Sequence, residues 1–346
     1  MKTHTARRLA LFSLAAISLL GGGVPPAVAQ PQKIVVYTVI PDAEVNRRIN
    51  EEFTKRTGIQ VEVLNVPAVG TVASRIRGEK DRPRGDVFAA APVDFHAALA
   101  KDGLIELYKS PLVTADALKA GYADPQGAWT GWYAMTTCIF WNTDRFNKEM
   151  ATKGVGKPSS WDDLLKPAYK DHVILANPQT SAIGYVLLAT QIFRSGEEKA
   201  WAYTRELNKN VKQYTPSAPL TVSLVAQGEG TAGAFWLADV LNAKVNGKQP
   251  LDFAVPSPNV VNIWAASIIK GGPNTEGARK YIDFLLSEYP QEINSTLGFR
   301  HPLNPKVAAP AGAPSLAEIK QVAYDNTWAT DNMDRVRKQW RTESGQ

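Results

Sequence analysis

From Lys33 onward, short runs of β-branched and aromatic residues alternate with amphipathic stretches, and this alternation limits the chain to a narrow class of folds. Lys33-Ile34-Val35-Val36-Tyr37-Thr38 reads as a strand. Val45, Ile49 and Phe53 then recur at four-residue spacing, as on the buried face of a helix, and Gly58 supplies a stop. Ile59, Val61 and Val63 alternate with polar residues, as in a second strand. Gly70-Thr71 opens a helix through Ile76. Asp86-Val87-Phe88-Ala89-Ala90 is a third strand, and Val93 to Lys101 a third helix closed by Gly103. Antiparallel strands can be joined by a tight turn, whereas parallel strands need a crossover, usually a helix. The pattern therefore predicts an α/β fold with a mainly parallel sheet flanked by helices.

Further along, two long apolar extended runs stand out, Trp132 to Trp141 and Val260 to Ile269. Between them, Ser160 and Asp163 form a helix-start signature ahead of Leu164-Leu165. Val173-Ile174-Leu175 reads as a buried strand, Trp201 to Asn208 as a polar helix, Val211 to Tyr214 as extended, and Leu220 to Gln227 as a short helix ending at Gly228. Three helical patterns finish the chain: Thr275 to Ser287, Pro290 to Thr296, and Ser315 to Trp340. Two extended runs flanking a central section predict two lobes joined by crossing strands, with a cleft between them, and such clefts are common ligand sites. The expected division places 30–136 and 266–300 in lobe 1, 137–265 in lobe 2, and 301–346 in C-terminal helices packed on the lobes.

Residues 1–29 read as an export signal. Lys2, Arg7 and Arg8 precede the apolar run Leu9 to Leu20, and Ala27-Val28-Ala29 gives a small-x-small cleavage site before Gln30. Arg7-Arg8 also fits twin-arginine export, but general secretion is the reading adopted. No Cys follows the cleavage site, so a lipid anchor is not expected, and the mature chain is expected in the periplasm. The full chain has 39 basic and 33 acidic residues, a net of +6. Removing the three basic residues of the leader leaves 36 against 33, or +3, with no basic block, so nucleic-acid binding has no support. Cys138 is the only cysteine. No intramolecular disulfide can form, and stability must come from core burial.

Most catalytic and metal chemistries lack their residues. The histidines, at 4, 96, 172 and 301, show no metal-ligand spacing, and no P-loop, dinucleotide-binding or nucleophile-elbow motif occurs. Neither metal nor other cofactor is expected. Asp162 and Asp163 read as helix-start residues, and Cys138, in an apolar run, as a buried inert thiol. What remains is a binding signal. In Asn177-Pro178-Gln179-Thr180-Ser181-Ala182-Ile183-Gly184-Tyr185, two hydroxyls stand where a strand hands over to a helix. Free N–H groups and the helix dipole favour an anion there. The alternative is a plain N-cap. Among the nine tryptophans, Trp236 and Trp264 fall where ligand-facing loops are expected.

The chain resembles the type II, ferric-iron-binding-like branch of the periplasmic solute-binding proteins of ABC importers. The resemblance rests on Ile34-Val35-Val36-Tyr37, Gly85-Asp86-Val87-Phe88, Pro158 to Leu165, Asn177 to Ser181, Gly228-Glu229, and Ala266 to Gly271. It implies a two-lobed, non-enzymatic carrier, expected to be monomeric, that delivers its solute to an ABC permease in the inner membrane. Ferric binders of this branch place two adjacent tyrosines in the second lobe. The matching stretch here, Thr231 to Leu237, has Phe235-Trp236, which offer no oxygen. Phosphate-type relatives often read Thr-Ser-Gly-Thr where this chain has Thr180-Ser181-Ala182-Ile183. The expected ligand is thus a small anionic organic solute: a phosphonate, a phosphorylated compound or a carboxylate. The resemblance also implies contacts from Thr38, Gly70 and Thr71 in the first lobe and Ser217 in the second. Two alternatives stand beside it, a ferric-iron carrier using non-tyrosine ligands and a thiaminase-like transferase using Cys138.

Overall fold

The computed structural model describes residues 33–66 and 68–345; the expected export signal lies outside them. The first part of the chain builds β1 (Lys33–Thr38), α1 (Ala43–Thr57), β2 (Gln60–Asn65), α2 (Val69–Gly78), β3 (Val87–Pro92), α3 (Val93–Lys101), β4 (Ile105–Glu106) and α4 (Ala115–Lys119). The long strand β5 (Thr130–Asn142) follows, then α5 (Thr143–Glu149), β6 (Val173–Ala176), α6 (Ala182–Ser195), α7 (Glu197–Asn208), β7 (Val211–Thr215), α8 (Ala218–Ala226), β8 (Ala232–Trp236), α9 (Leu237–Val245) and β9 (Leu251–Ala254). The chain closes with β10 (Val261–Ile269), α10 (Thr275–Leu286), α11 (Glu288–Thr296), β11 (His301–Pro302), α12 (Asn326–Asp331) and α13 (Met333–Ser344).

The main sheet path runs β2-β1-β3-β10-β5-β8-β6-β7. β1 pairs in parallel with β2 and β3, and β6 in parallel with β7 and β8. β10 and β5 run antiparallel to these neighbours and join two α/β lobes. All thirteen residues of β5 are buried, as an apolar run in the middle of a sheet requires. Its partners change between Thr136 and Thr137: β10 lies beside residues up to Thr136, and β8 beside those from Thr137.

Each lobe is covered on both faces. One apolar cluster runs through both lobes, from Val36 and Phe53 under α1 to Phe140, Val225 and Leu241 under α8 and α9. The opposite faces hold Tyr37, Phe88 and Leu99 in the first lobe and Trp141, Trp161 and Tyr203 in the second. The stop at Gly58 is a left-handed glycine (φ 72°) whose N–H donates to the Thr54 carbonyl.

Two expectations change. The Ser160/Asp163 capping box is present, but it opens only a 3-10 turn, Trp161–Leu165. The helix expected from Ser315 to Trp340 is two short helices, preceded by a turn at 316–318 and a stretch that pairs with Asn259. There Asn259 N–H donates to the Lys320 carbonyl and Val322 N–H to the Asn259 carbonyl, so tertiary pairing overrides local helical spacing. α13 packs on the second lobe, with Trp340 edge-on to Tyr214 at 5.0 Å between ring centres.

Candidate functional site

Because β6, β7 and β8 are parallel, their C-terminal ends lie at one edge of the second lobe, and α6, α8 and α9 begin there. Register places that edge at the lobe crossing. Trp236, the last residue of β8, pairs with Thr137, while Trp264 on β10 pairs with both Tyr133 and Pro92, the last residue of β3. The chain ends of the two lobes therefore meet across the middle of β5.

Thr180, Ser181 and Ser217 are brought together. Ser181 is the N-cap of α6, 3% exposed, and its Oγ accepts from the Gly184 N–H at 3.4 Å. The exposed Thr180 donates from Oγ1 to the Pro216 carbonyl at 2.8 Å, tying the start of α6 to the start of α8. Ser217 is the exposed N-cap of α8, and its hydroxyl makes no capping bond. Ala182, the first residue of α6, is exposed. Two helix starts and their dipoles thus lie together, with Thr180, Ala182 and Ser217 exposed beside the buried hydroxyl of Ser181.

The loop is held firmly. A Cβ at Gly184 would lie 2.5 Å from the Ala176 carbonyl oxygen, so α6 can lie against the end of β6 only with glycine there. From the C-terminal helix, Arg337 Nε donates to the Pro178 carbonyl at 2.8 Å and Arg341 to Gln179 Oε1 at 3.0 Å. Sequence reasoning missed this clamp, because α13 is remote in sequence and carries no motif.

The other expected residues stand on other elements. Trp236 and Trp264 are partly buried. Trp264 stacks on Tyr133 with ring centres 5.6 Å apart, and its Nε1 has no partner. Thr38 is 2% exposed, and in the turn after β1 its Oγ1 accepts from the Ile40 N–H at 3.2 Å. Gly70 and Thr71 are exposed in the first turn of α2, whose N-cap is Ala68 and has no hydroxyl.

The crossing also carries charges that no motif announced. Arg300, 8% exposed, donates from Nη2 to Asp42 Oδ2 at 2.6 Å and from Nη1 to Asn294 Oδ1 at 3.0 Å. Its guanidinium lies over Tyr133, 5.7 Å from the ring centre. Asp239, in the first turn of α9, is exposed to water yet crowded by protein, and this crowding pushes its carboxyl up to about 6. The Asp42 carboxylate adds to the rise, and Arg300 opposes it.

Cys138 is fully buried, and burial pushes its thiol well up, away from the thiolate a nucleophile needs. Among the described residues, no three His, Cys, Asp or Glu side chains are grouped to hold a metal ion, and no helix is long and apolar enough to cross a membrane.

Three comparisons bear on this architecture. An uncharacterized protein of Haemophilus influenzae is 34% identical over 229 residues, which span 65% of this chain and 64% of that protein. Iron uptake protein A1 of a Synechocystis strain is 23% identical over 78% of this chain and 75% of its own length. The periplasmic binding protein AfuA of Actinobacillus pleuropneumoniae, solved with exogenous fructose-6-phosphate bound, superposes with a TM-score of 0.71 at 26% identity, covering 91% of this chain and 99% of that one. The two-lobed architecture is that of type II periplasmic binding proteins. The profile of the family described as bacterial extracellular solute-binding protein matches residues 85–326, and the chain belongs to that family of ABC-importer solute-binding proteins.

Proposed function

We propose that this chain is the periplasmic substrate-binding component of an ABC importer, and that it captures a small anionic organic solute, phosphoryl or carboxylate, between its lobes. The observation that carries this reading is the convergence of the α6 and α8 starts, tied by Thr180 to Pro216 and offering Ser181, Ser217 and the backbone at Ala182. Gly70 and Thr71 would reach the anion from the first lobe on closure. Binding would stabilise the closed form, and a membrane permease would receive the solute. A phosphorylated sugar occupies the Actinobacillus protein, which is in keeping with this ligand class. An iron uptake protein is also among the relatives, but the stretch where ferric binders carry tyrosines holds Phe235-Trp236 here. The buried thiol of Cys138 speaks for a carrier over a thiol-based transferase.

The test begins with native mass spectrometry of protein purified without refolding. An organic acid or phosphorylated mass is expected; bound iron alone would sink the proposal. Thermal shifts with phosphonates, sugar phosphates, carboxylates and ferric iron then rank the classes, since a ligand of the native state raises the midpoint. Ser181→Asp separates a binding hydroxyl from a plain cap. Aspartate caps helices as well as serine does, so the fold should hold. A negative charge at the anion seat should weaken binding about 100-fold, because opposed like charges cost several kcal/mol. Unchanged affinity would place the pocket elsewhere.

A further inference from the structure

Toward its end the chain is still held by the first lobe: β11 pairs with β5 at Ala134 and Tyr133, and His301 Nε2 donates to the Pro314 carbonyl at 3.0 Å. From α13 onward it lies on the second lobe, where Trp340 meets Tyr214 and Arg335 pairs with Glu197 of α7 at 2.6 Å. We propose that residues 315–325 are a third crossing between the lobes, and that with α12 and α13 they form a strap tying the point where β5 changes partners to the loop 177–181. Movement of the lobes then alters the hold on that loop. Tyr324, Arg337 and Thr137 become positioning residues for whatever solute the loop receives.

One end of the strap is fixed by Asn259, which is fully buried. Its side chain is bonded both ways to Thr137, where β5 leaves β10 for β8. Thr137 Oγ1 donates to Asn259 Oδ1 at 2.6 Å, and Asn259 Nδ2 donates to the Thr137 carbonyl at 2.7 Å. Its backbone is bonded both ways to the strap, through the Lys320 carbonyl and the Val322 N–H, each at 2.9 Å. A buried bond left unmade costs about 1–3 kcal/mol, so the strap does not slip past the crossing strands freely.

The middle of the strap lies between helices of the two lobes. Tyr324 and Trp328 pack on Phe193 of α6, with ring centres 4.7 and 5.2 Å away, and the Tyr185 hydroxyl of α6 donates to the Ala329 carbonyl. On its other side α12 packs against α3 of the first lobe. Burial pushes the Tyr324 phenol up, and Tyr185 of α6 and Asp94 of α3 add to the rise, in keeping with a ring set between the two helices. α12 is thus bonded to the second lobe and only packed on the first, so rotation of the lobes is felt at its contact with α3. Asn332 stiffens the junction with α13: its Nδ2 donates to the Trp328 carbonyl at 3.0 Å, and its Oδ1 accepts from Arg335 Nε at 3.1 Å. The far end grips the loop. Arg337 Nε donates to the Pro178 carbonyl at 2.8 Å, and Gln179 Nε2 returns a bond to the Arg337 carbonyl at 2.5 Å.

Hydrogen exchange on the full mature protein, with no solute added, tests this. Tyr324→Ala removes the ring between the lobes and breaks no bond to the loop. The Thr180 and Ser181 amides, both bonded to the Asn177 carbonyl, should then exchange about tenfold faster, while the amides of α1 and α9 keep their rates. Thr137→Val cuts only the hinge end, and Asn259 Oδ1 keeps the Val260 N–H, so the fold should hold and the same amides should quicken about threefold. In Arg337→Ala the loop is already released, so adding Tyr324→Ala should change its exchange no further. Loop rates unmoved in both single variants would overturn the strap. So would rates that rise everywhere together, which would make Tyr324 ordinary packing, or effects of Tyr324→Ala and Arg337→Ala that multiply, which would route the coupling through α6. Should Tyr324→Ala fail to fold, Thr137→Val takes its place in each comparison. Bound iron alone in the native mass spectrum would sink the anion reading and leave these expectations standing.

Discussion

Where the second lobe meets the cleft, neutral hydrogen bonds hold the helix starts: Ser181 caps α6, Thr180 bonds Pro216, and α13 braces the loop from behind. Where the first lobe meets it, the fixed part is the ion pair of Asp42 with Arg300, and the start of α2 carries only exposed Gly70 and Thr71. On the proposed function the second-lobe rim acts as a preset seat, its donors ordered before any ligand arrives, so little ordering entropy opposes binding. The first-lobe rim combines a charged joint with a bare helix end, which on the proposed function would swing onto a ligand already seated. If this contrast holds, damage to the joint should appear in stability, damage to the brace in affinity, and damage to the bare helix end hardly at all.

The largest effect is expected at Arg300. Arg300→Met keeps an apolar stem on Tyr133 but strips Asp42 of its guanidinium in a largely buried place. Removing one partner of a buried ion pair typically costs 3–5 kcal/mol, and a loss of about 3 kcal/mol is expected by urea denaturation. Adding Asp42→Asn should recover part of this, because the stranded charge is gone. A double variant as unstable as the single one would show that packing, not charge, makes the joint.

At the seat, Arg337→Ala removes the Nε–H donated to the Pro178 carbonyl and a guanidinium 5.5 Å from the centre of the Tyr185 ring. Stability should fall by only about 1 kcal/mol, the net worth of an ordinary hydrogen bond. Affinity for the co-purified solute should fall about tenfold, since the loop must then be ordered by the ligand itself. Equal affinity in the variant would mean that α13 packs on the loop without presetting it.

The same contrast explains how far the sequence could be read. β1, α1 and α3 announced themselves because their apolar spacing is set by burial, and Val45, Ile49 and Phe53 are indeed the buried residues of α1. The segment from Ser315 was misread because its partner, Asn259, is distant in sequence and cannot enter local periodicity. The start of α6 was legible for a related reason: a cap, a loop and a helix start are contiguous, so Ser181 carries its own signal. The joint was not. Asp42 and Arg300 are distant in sequence, and each alone resembles an ordinary turn or surface residue. The bond of Thr38 to the Ile40 N–H was equally hidden, since a hydroxyl at a strand end looks the same from sequence whether it faces a cleft or closes a turn.

The smallest effect is expected at the first-lobe helix end, and it is the most exacting check on the contrast. Thr71 is exposed, its side chain makes no hydrogen bond among the described residues, and space around a Cβ at neighbouring Gly70 is open. Thr71→Ala should therefore leave stability within about 0.5 kcal/mol. If Thr71 reaches the anion only after closure, its loss removes one ligand hydrogen bond made in the closed state alone, worth about 0.7 kcal/mol, or about threefold in affinity. Such a loss should fall on the dissociation rate, because the solute is already seated when the contact forms. A slower association rate would instead mean that α2 helps capture the solute from the open state, and the division into seat and lid would fail. No change in either rate would leave the second lobe to hold the anion alone.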